Sequence, residues 1–155
     1  MVSNSWLLAL TIGLLIVASA FFSSSETALT AASDARMRQL ANKGNKRAKI
    51  VEKLRADREG LIGSILIGNN AVNVLGSALA TSFAIALFGE GGLFWATIGM
   101  TVLLVVFAEV MPKTYAFTYA DSYALRIAPV LQLVVRALSP LSVGIRLLAN
   151  QIIRQ

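Results

Sequence analysis

Apolar residues run almost without interruption from Trp6 to Phe22, from Leu61 to Phe88 and from Leu93 to about Ala116, and polar residues fill the intervals. A bilayer core about 30 Å thick takes roughly 20 apolar residues in a helix, so each run predicts a membrane span. The first run is near the lower limit, but helical sequence continues past it and predicts a span over about 6–32. A cleavable signal peptide is the competing reading, and no basic residue precedes the run to support it. Gly89-Glu90-Gly91-Gly92 is a tight turn between spans 61–88 and 93–116.

Residues 34–59 are polar, basic and rich in helix formers, with Gly44-Asn45 dividing them into two short helices. After Asp121, apolar sequence is punctuated by Arg126, Arg136, Arg146 and Arg154. Pro129 and Pro140 predict pieces too short to span. Arg146, Asn150 and Arg154 recur at i, i+4, i+8 as one polar stripe, which suits helices lying along the interface. A fourth span is the alternative. The expected fold is an all-α membrane protein in one domain, 1–155. It has three transmembrane helices with kinked or broken segments, and juxtamembrane amphipathic helices over 121–155. The sequence reaches Gln155 without a stop signal and reads as the membrane part of something longer.

Charge sets the orientation. Of 14 Lys and Arg, nine lie between Arg36 and Arg58, so the positive-inside rule makes 34–59 cytoplasmic. The amino terminus then falls outside, and the carboxyl-terminal part is cytoplasmic, in a cell membrane crossed several times. With 56% hydrophobic and only 14% charged residues, the chain has the lipid bilayer as its first partner. The net charge of +6 fits anionic lipid at a juxtamembrane loop better than nucleic acid. The absence of histidine and cysteine removes the usual transition-metal ligands and histidine acid/base catalysis. No histidine or lysine stands near Ser23 as the base of a nucleophilic mechanism, so an enzyme is not expected.

Three polar clusters interrupt the apolar runs. In "FFSSSETAL", S-x-x-E reads as a capping box, with Ser23 as N-cap and Glu26 reaching back. That predicts one helix ending near Phe22 and another beginning, a break tolerated at membrane depth only where it lines a cavity or packs on protein. In "IGNNAVNVLGS", Asn73 shares a helix face with both Asn69 and Asn70, and Ser77 extends it. Interhelical hydrogen bonding would explain one asparagine; three beside Gly68 look like a nest of oxygen ligands. In "AEVMPK", Glu109 lies about sixteen residues into the third span, where an ionisable group is by default a functional candidate. Pro112 leaves the Ala108 carbonyl without its α-helical partner. Pairing of Glu109 with Lys113 is the rival reading, although Lys113 can snorkel outward. All three clusters supply oxygen, which suits a hard cation such as Mg²⁺, Ca²⁺ or Na⁺. Their depths agree with one site opening to the cytoplasm, provided that the spans pack antiparallel.

"FFSSSETAL", "IGNNAVN" and "AEVMPK", in this order, resemble the signatures of the transmembrane domain of the CNNM/CorC magnesium transporters. The resemblance implies three transmembrane helices with juxtamembrane helices, in a homodimer. It also implies ATP binding only through cytoplasmic CBS domains, which are not among these residues. Carried over by position, it implies a largely dehydrated Mg²⁺ among Ser23, Asn69 or Asn70, Asn73 and Glu109, with the Gly68 carbonyl and the Ser25 hydroxyl as additions. Transport in some members is coupled to Na⁺ and runs outward. The expected function is therefore a magnesium transporter domain. The alternative is a Mg²⁺-sensing membrane anchor that regulates a partner without transporting.

Overall fold

The computed structural model describes residues 2–154, with side chains from residue 4 onward. Helix α1 (Val2–Ala31) leads through α2 (Asp34–Asn42) and α3 (Lys46–Ala56) into α4 (Arg58–Phe88). After a turn come α5 (Gly92–Leu103), a π-helical segment (Leu104–Val110) and α6 (Met111–Thr118), then α7 (Ala120–Ile153). The turns follow from side chains at their ends. Gly44 adopts φ +90°, and the Asn45 side chain accepts from the Arg47 and Ala48 N–H groups at 3.0 and 3.2 Å to start α3. Gly89, at φ +70°, ends α4.

The expected helix break at Phe22–Ser23 is not there: α1 runs unbroken through Ser23, Ser24, Ser25 and Glu26. The Ser24 and Ser25 hydroxyls turn back onto their own helix, and Ser23 Oγ, the expected cap, bonds no N–H group. Ser24 Oγ donates to the Ala20 carbonyl at 2.7 Å and Ser25 Oγ to the Phe21 carbonyl at 2.6 Å. Such back-bonding satisfies a buried hydroxyl inside a continuous helix, so the capping geometry has nothing to offer. Helix α4 is likewise continuous through Gly68.

The carboxyl-terminal stretch also departs from expectation, because Pro129 and Pro140 lie within one unbroken helix, α7. Each proline removes a ladder bond at a cost of about 3 kcal/mol or more. Ala124, Ile127, Ala128 and Leu131 are buried around the first and Ser142 beyond the second, so packing carries the helix across both. Four helical stretches, α7 among them, are long and apolar enough to cross a membrane by length and composition. The chain is a multi-pass membrane domain.

Helices α1 and α4 run antiparallel: Leu15 lies against Gly76 and Phe22 against Gly68. Their loop ends therefore coincide, and α7 is attached there at two widely separated points. Asp121 accepts the Ser33 N–H at 2.7 Å, just past the end of α1. Toward its other end, Arg146 lies 3.9 Å from Asp57 and 3.5 Å from Glu59 at the start of α4. Helix α7 thus crosses the loop end of the pair. The buried core collects at this end, around Ala28, Met37, Val51, Leu61, Ile65 and Leu131. At the opposite end Trp6, Leu10, Leu14, Phe88, Phe94 and Trp95 are exposed, the surface expected of helices facing lipid, with aromatic residues at its rim.

Arg55 closes the loop end. From α3 its Nε donates to the Leu29 carbonyl at 2.9 Å, one terminal nitrogen donates to the Ala32 carbonyl, and the other meets Asp34 at 2.6 Å. The Leu29 carbonyl at the end of α1 and the Ala32 carbonyl just past it thereby gain partners that the helix itself cannot supply. Arg55→Ala should destabilise the fold by about 2 kcal/mol, as expected for hydrogen bonds from a charged group. Thermal unfolding in detergent micelles tests this. A melting temperature equal to the parent's would show that the clamp is dispensable.

Candidate metal centre

The contact between α1 and α4 is close because of one missing side chain. A Cβ on Gly68 would lie 2.5 Å from the Phe22 ring, so only glycine lets this ring seat against the α4 backbone. Small residues at a membrane-helix contact have this use generally. The seating fixes the register. One turn before Ser23 on α1, Ser19 comes against the asparagine face of α4.

Ser19 is fully buried. Its Oγ lies 3.0 Å from Asn69 Oδ1 and 2.6 Å from Asn73 Oδ1. A serine hydroxyl carries one proton, so it satisfies one of these two oxygens. The other amide either turns its Nδ2 towards Ser19 or keeps its oxygen for a cation. One turn further, Ser23 is 2% exposed and its Oγ has no hydrogen-bond partner. Ser64 Oγ, on the buried face of α4, also lacks one. Leaving a buried hydroxyl unmatched costs about 1–3 kcal/mol. Ser25 donates to its own helix, and its oxygen retains a lone pair for a further partner.

The third cluster sits in the π-helical segment, which packs on α1. The Met111 N–H bonds the Val106 carbonyl, five residues back, so the disturbance before Pro112 takes the form of a widened ladder. Such π-segments recur at functional sites. Glu109 is half-buried and makes no hydrogen bond or ion pair among the described residues, and Lys113 is exposed and does not pair with it.

Of the residues singled out by sequence, Asn69 and Asn73 are brought together and Ser23 lies one turn from their contact. Gly68 is buried against Phe22. Asn70 faces outward on α4. Ser19 was missed, although its place one turn before Ser23 was a usable signal. Tyr123 was also missed: its hydroxyl lies 2.8 Å from Ser24 Oγ and ties α7 to the serine stretch. Among the described residues no group of three or more Asp, Glu, His or Cys gathers. The donors brought together are hydroxyls and amides, a set that fits a hard cation and not a soft one.

Residues 10–155 match the family described as the cyclin M transmembrane N-terminal domain. The UPF0053 inner membrane protein YfjD of Escherichia coli (strain K12) is 46% identical over 106 residues, 68% of this chain and 25% of that protein. A UPF0053 protein of Haemophilus influenzae is 39% identical over 126 residues, 81% of this chain and 30% of that protein. A chloroplastic DUF21 domain-containing protein of Arabidopsis thaliana is 37% identical over 115 residues, 74% of this chain and 18% of that protein. The chain thus spans a third or less of the length of these relatives.

Gly68→Ala should cost about 1–3 kcal/mol, the usual range for overpacking, by pushing the Phe22 ring off α4. In a Phe22→Ala background the same change should cost much less, a coupling that a double-mutant cycle of melting temperatures measures. Strict additivity would refute the close approach.

Proposed function

Because this chain belongs to the cyclin M transmembrane N-terminal domain family, we propose that it binds a largely dehydrated Mg²⁺ among α1, α4 and the π-helical segment and carries it across the membrane. The observation that carries this reading is the unpartnered hydroxyl of Ser23, buried one turn from amide oxygens converging on Ser19. Mg²⁺ sheds water reluctantly and demands oxygen ligands in near-octahedral order. Ser23, Ser25, Asn69, Asn73, the Gly68 carbonyl and Glu109 are the ligands we assign, with Asn70 the less favoured amide because it faces outward. A set with one formal charge replaces water without holding the ion too tightly to leave. Ser19 acts from behind, by fixing the orientation of the two amides. Outward flux coupled to Na⁺, homodimerisation and control by ATP through cytoplasmic domains belong to the same proposal.

The proposed topology has the basic segment α2–α3 and α7 on the cytoplasmic side, the amino terminus outside, and three spans. Both ends of α7 are attached at the loop end of the bundle, which supports a helix lying along the interface over a fourth span. The chain has no cysteine, so single cysteines introduced at Arg126, Asn150 and Glu90 can be probed with an impermeant maleimide. Arg126→Cys and Asn150→Cys should label from one side and Glu90→Cys from the other. Labelling of the first two from opposite sides would make α7 a span.

Glu109→Ala should weaken Mg²⁺ binding, measured by calorimetry, by at least about tenfold, since loss even of an outer partner costs about 10–100-fold in metal affinity. Ser19→Ala should cost about tenfold on the same basis, and Lys113→Ala little. An unchanged affinity in Glu109→Ala would remove the carboxylate from the site. Reproducible absence of Mg²⁺ flux in liposomes holding the parent protein would favour the sensing anchor.

A further inference from the structure

At the loop end, between α3 and α7, lies a cleft of about 510 Å³. Lys53, Gln132, Arg136 and Ser139 bring polar groups to it, and the exposed Pro140 and Val143 bring apolar surface. Lys53 and Arg136 are exposed and form no ion pair among the described residues. Asp57, the one acidic residue of the lining, is engaged elsewhere: it accepts the Gly60 N–H at 3.0 Å and faces Arg146. Two unmatched cations therefore stand beside apolar surface.

That combination does not suit a soluble anion, which gains nothing from an apolar wall. It suits a molecule with an anionic head and hydrocarbon tails. The location agrees if α7 lies along the cytoplasmic interface, and the inference rests on that part of the reading above. The cleft then opens at the depth of lipid headgroups, where basic pockets between helices hold anionic lipids.

We propose that the α3–α7 cleft binds one anionic phospholipid. Lys53 and Arg136 hold its phosphate, Gln132 and Ser139 bond the headgroup hydroxyls, and the acyl chains lie on Pro140 and Val143. Bound there, the lipid fastens α7 to α3. Because α7 also holds α1 through Tyr123–Ser24 and Asp121–Ser33, occupancy of the cleft bears on the serine stretch of the metal centre.

The test titrates dioctanoylphosphatidylglycerol into the whole chain in neutral detergent and reads the bound fraction by native mass spectrometry. Dioctanoylphosphatidylcholine and inorganic phosphate are the comparison probes. Saturable binding of the phosphatidylglycerol alone is expected. The paired change Lys53→Gln with Arg136→Gln should weaken it by on the order of thirtyfold, from the contribution of two basic residues near a membrane surface. Lys43→Gln with Lys46→Gln removes equal charge outside the cleft and should leave binding unchanged. Val143→Trp fills the apolar part without altering charge and should also displace the lipid.

Equal weakening by both charge pairs would reduce the effect to diffuse attraction and overturn the site. Equal binding of inorganic phosphate would make it a soluble-anion site, which also overturns it. Absence of saturable lipid binding would leave the cleft to a protein segment, again against the proposal. Labelling of Arg126→Cys and Asn150→Cys from one side, combined with absent lipid binding, would sink the lipid site alone. Labelling from opposite sides would sink the interfacial placement of α7 instead.

Discussion

Polar groups buried among apolar helices must find partners, and the contact of α1 with α4 is organised by that demand. Water is not available in hydrocarbon to satisfy a hydroxyl or an amide. The Phe22 ring seated on Gly68 sets the register, and the register puts Ser19 between Asn69 and Asn73. A shift of one residue along either helix would carry these groups to other faces. The same contact leaves Ser23 buried without a partner, so the packing that satisfies one serine exposes the need of the next.

The loop end carries the architecture on which this contact depends. There Arg55 gives the carbonyls at and just past the end of α1 their partners, Asp121 takes the Ser33 N–H, and the buried core gathers under α7. The opposite half of the helices presents large apolar side chains outward, as lipid-facing surface requires. Cohesion is thus concentrated where the chain is polar enough to make directed bonds. The serine stretch lies at the boundary between the two regimes, tied to α7 by Tyr123.

Much of the helical order was legible in the apolar runs, because a membrane helix must be both long and apolar. The division at Gly44-Asn45 was legible too, since a left-handed glycine and an asparagine cap announce it. Two local rules misled. S-x-x-E describes a cap only when the helix starts there, and α1 runs on through Ser23, with Ser24 and Ser25 bonded back onto its carbonyls. Pro129 and Pro140 predict breaks from the ladder alone, whereas the buried face of α7 holds the helix through both.

The amino-acid sequence by itself determined the class of molecule, the helical periods, the clustering of basic residues and the oxygen-rich character of three polar clusters, because these follow from composition and spacing. Only the tertiary structure decided which polar groups meet. Asn69 and Asn73 turn inward while Asn70 faces out, and it is Ser19 that meets the two inward amides. It also decided that α7 is one helix crossing the loop end. The physical reason is the same in each case: a side chain's partner on another helix depends on register and crossing, which arise from close packing across the whole bundle and are not encoded in any short stretch.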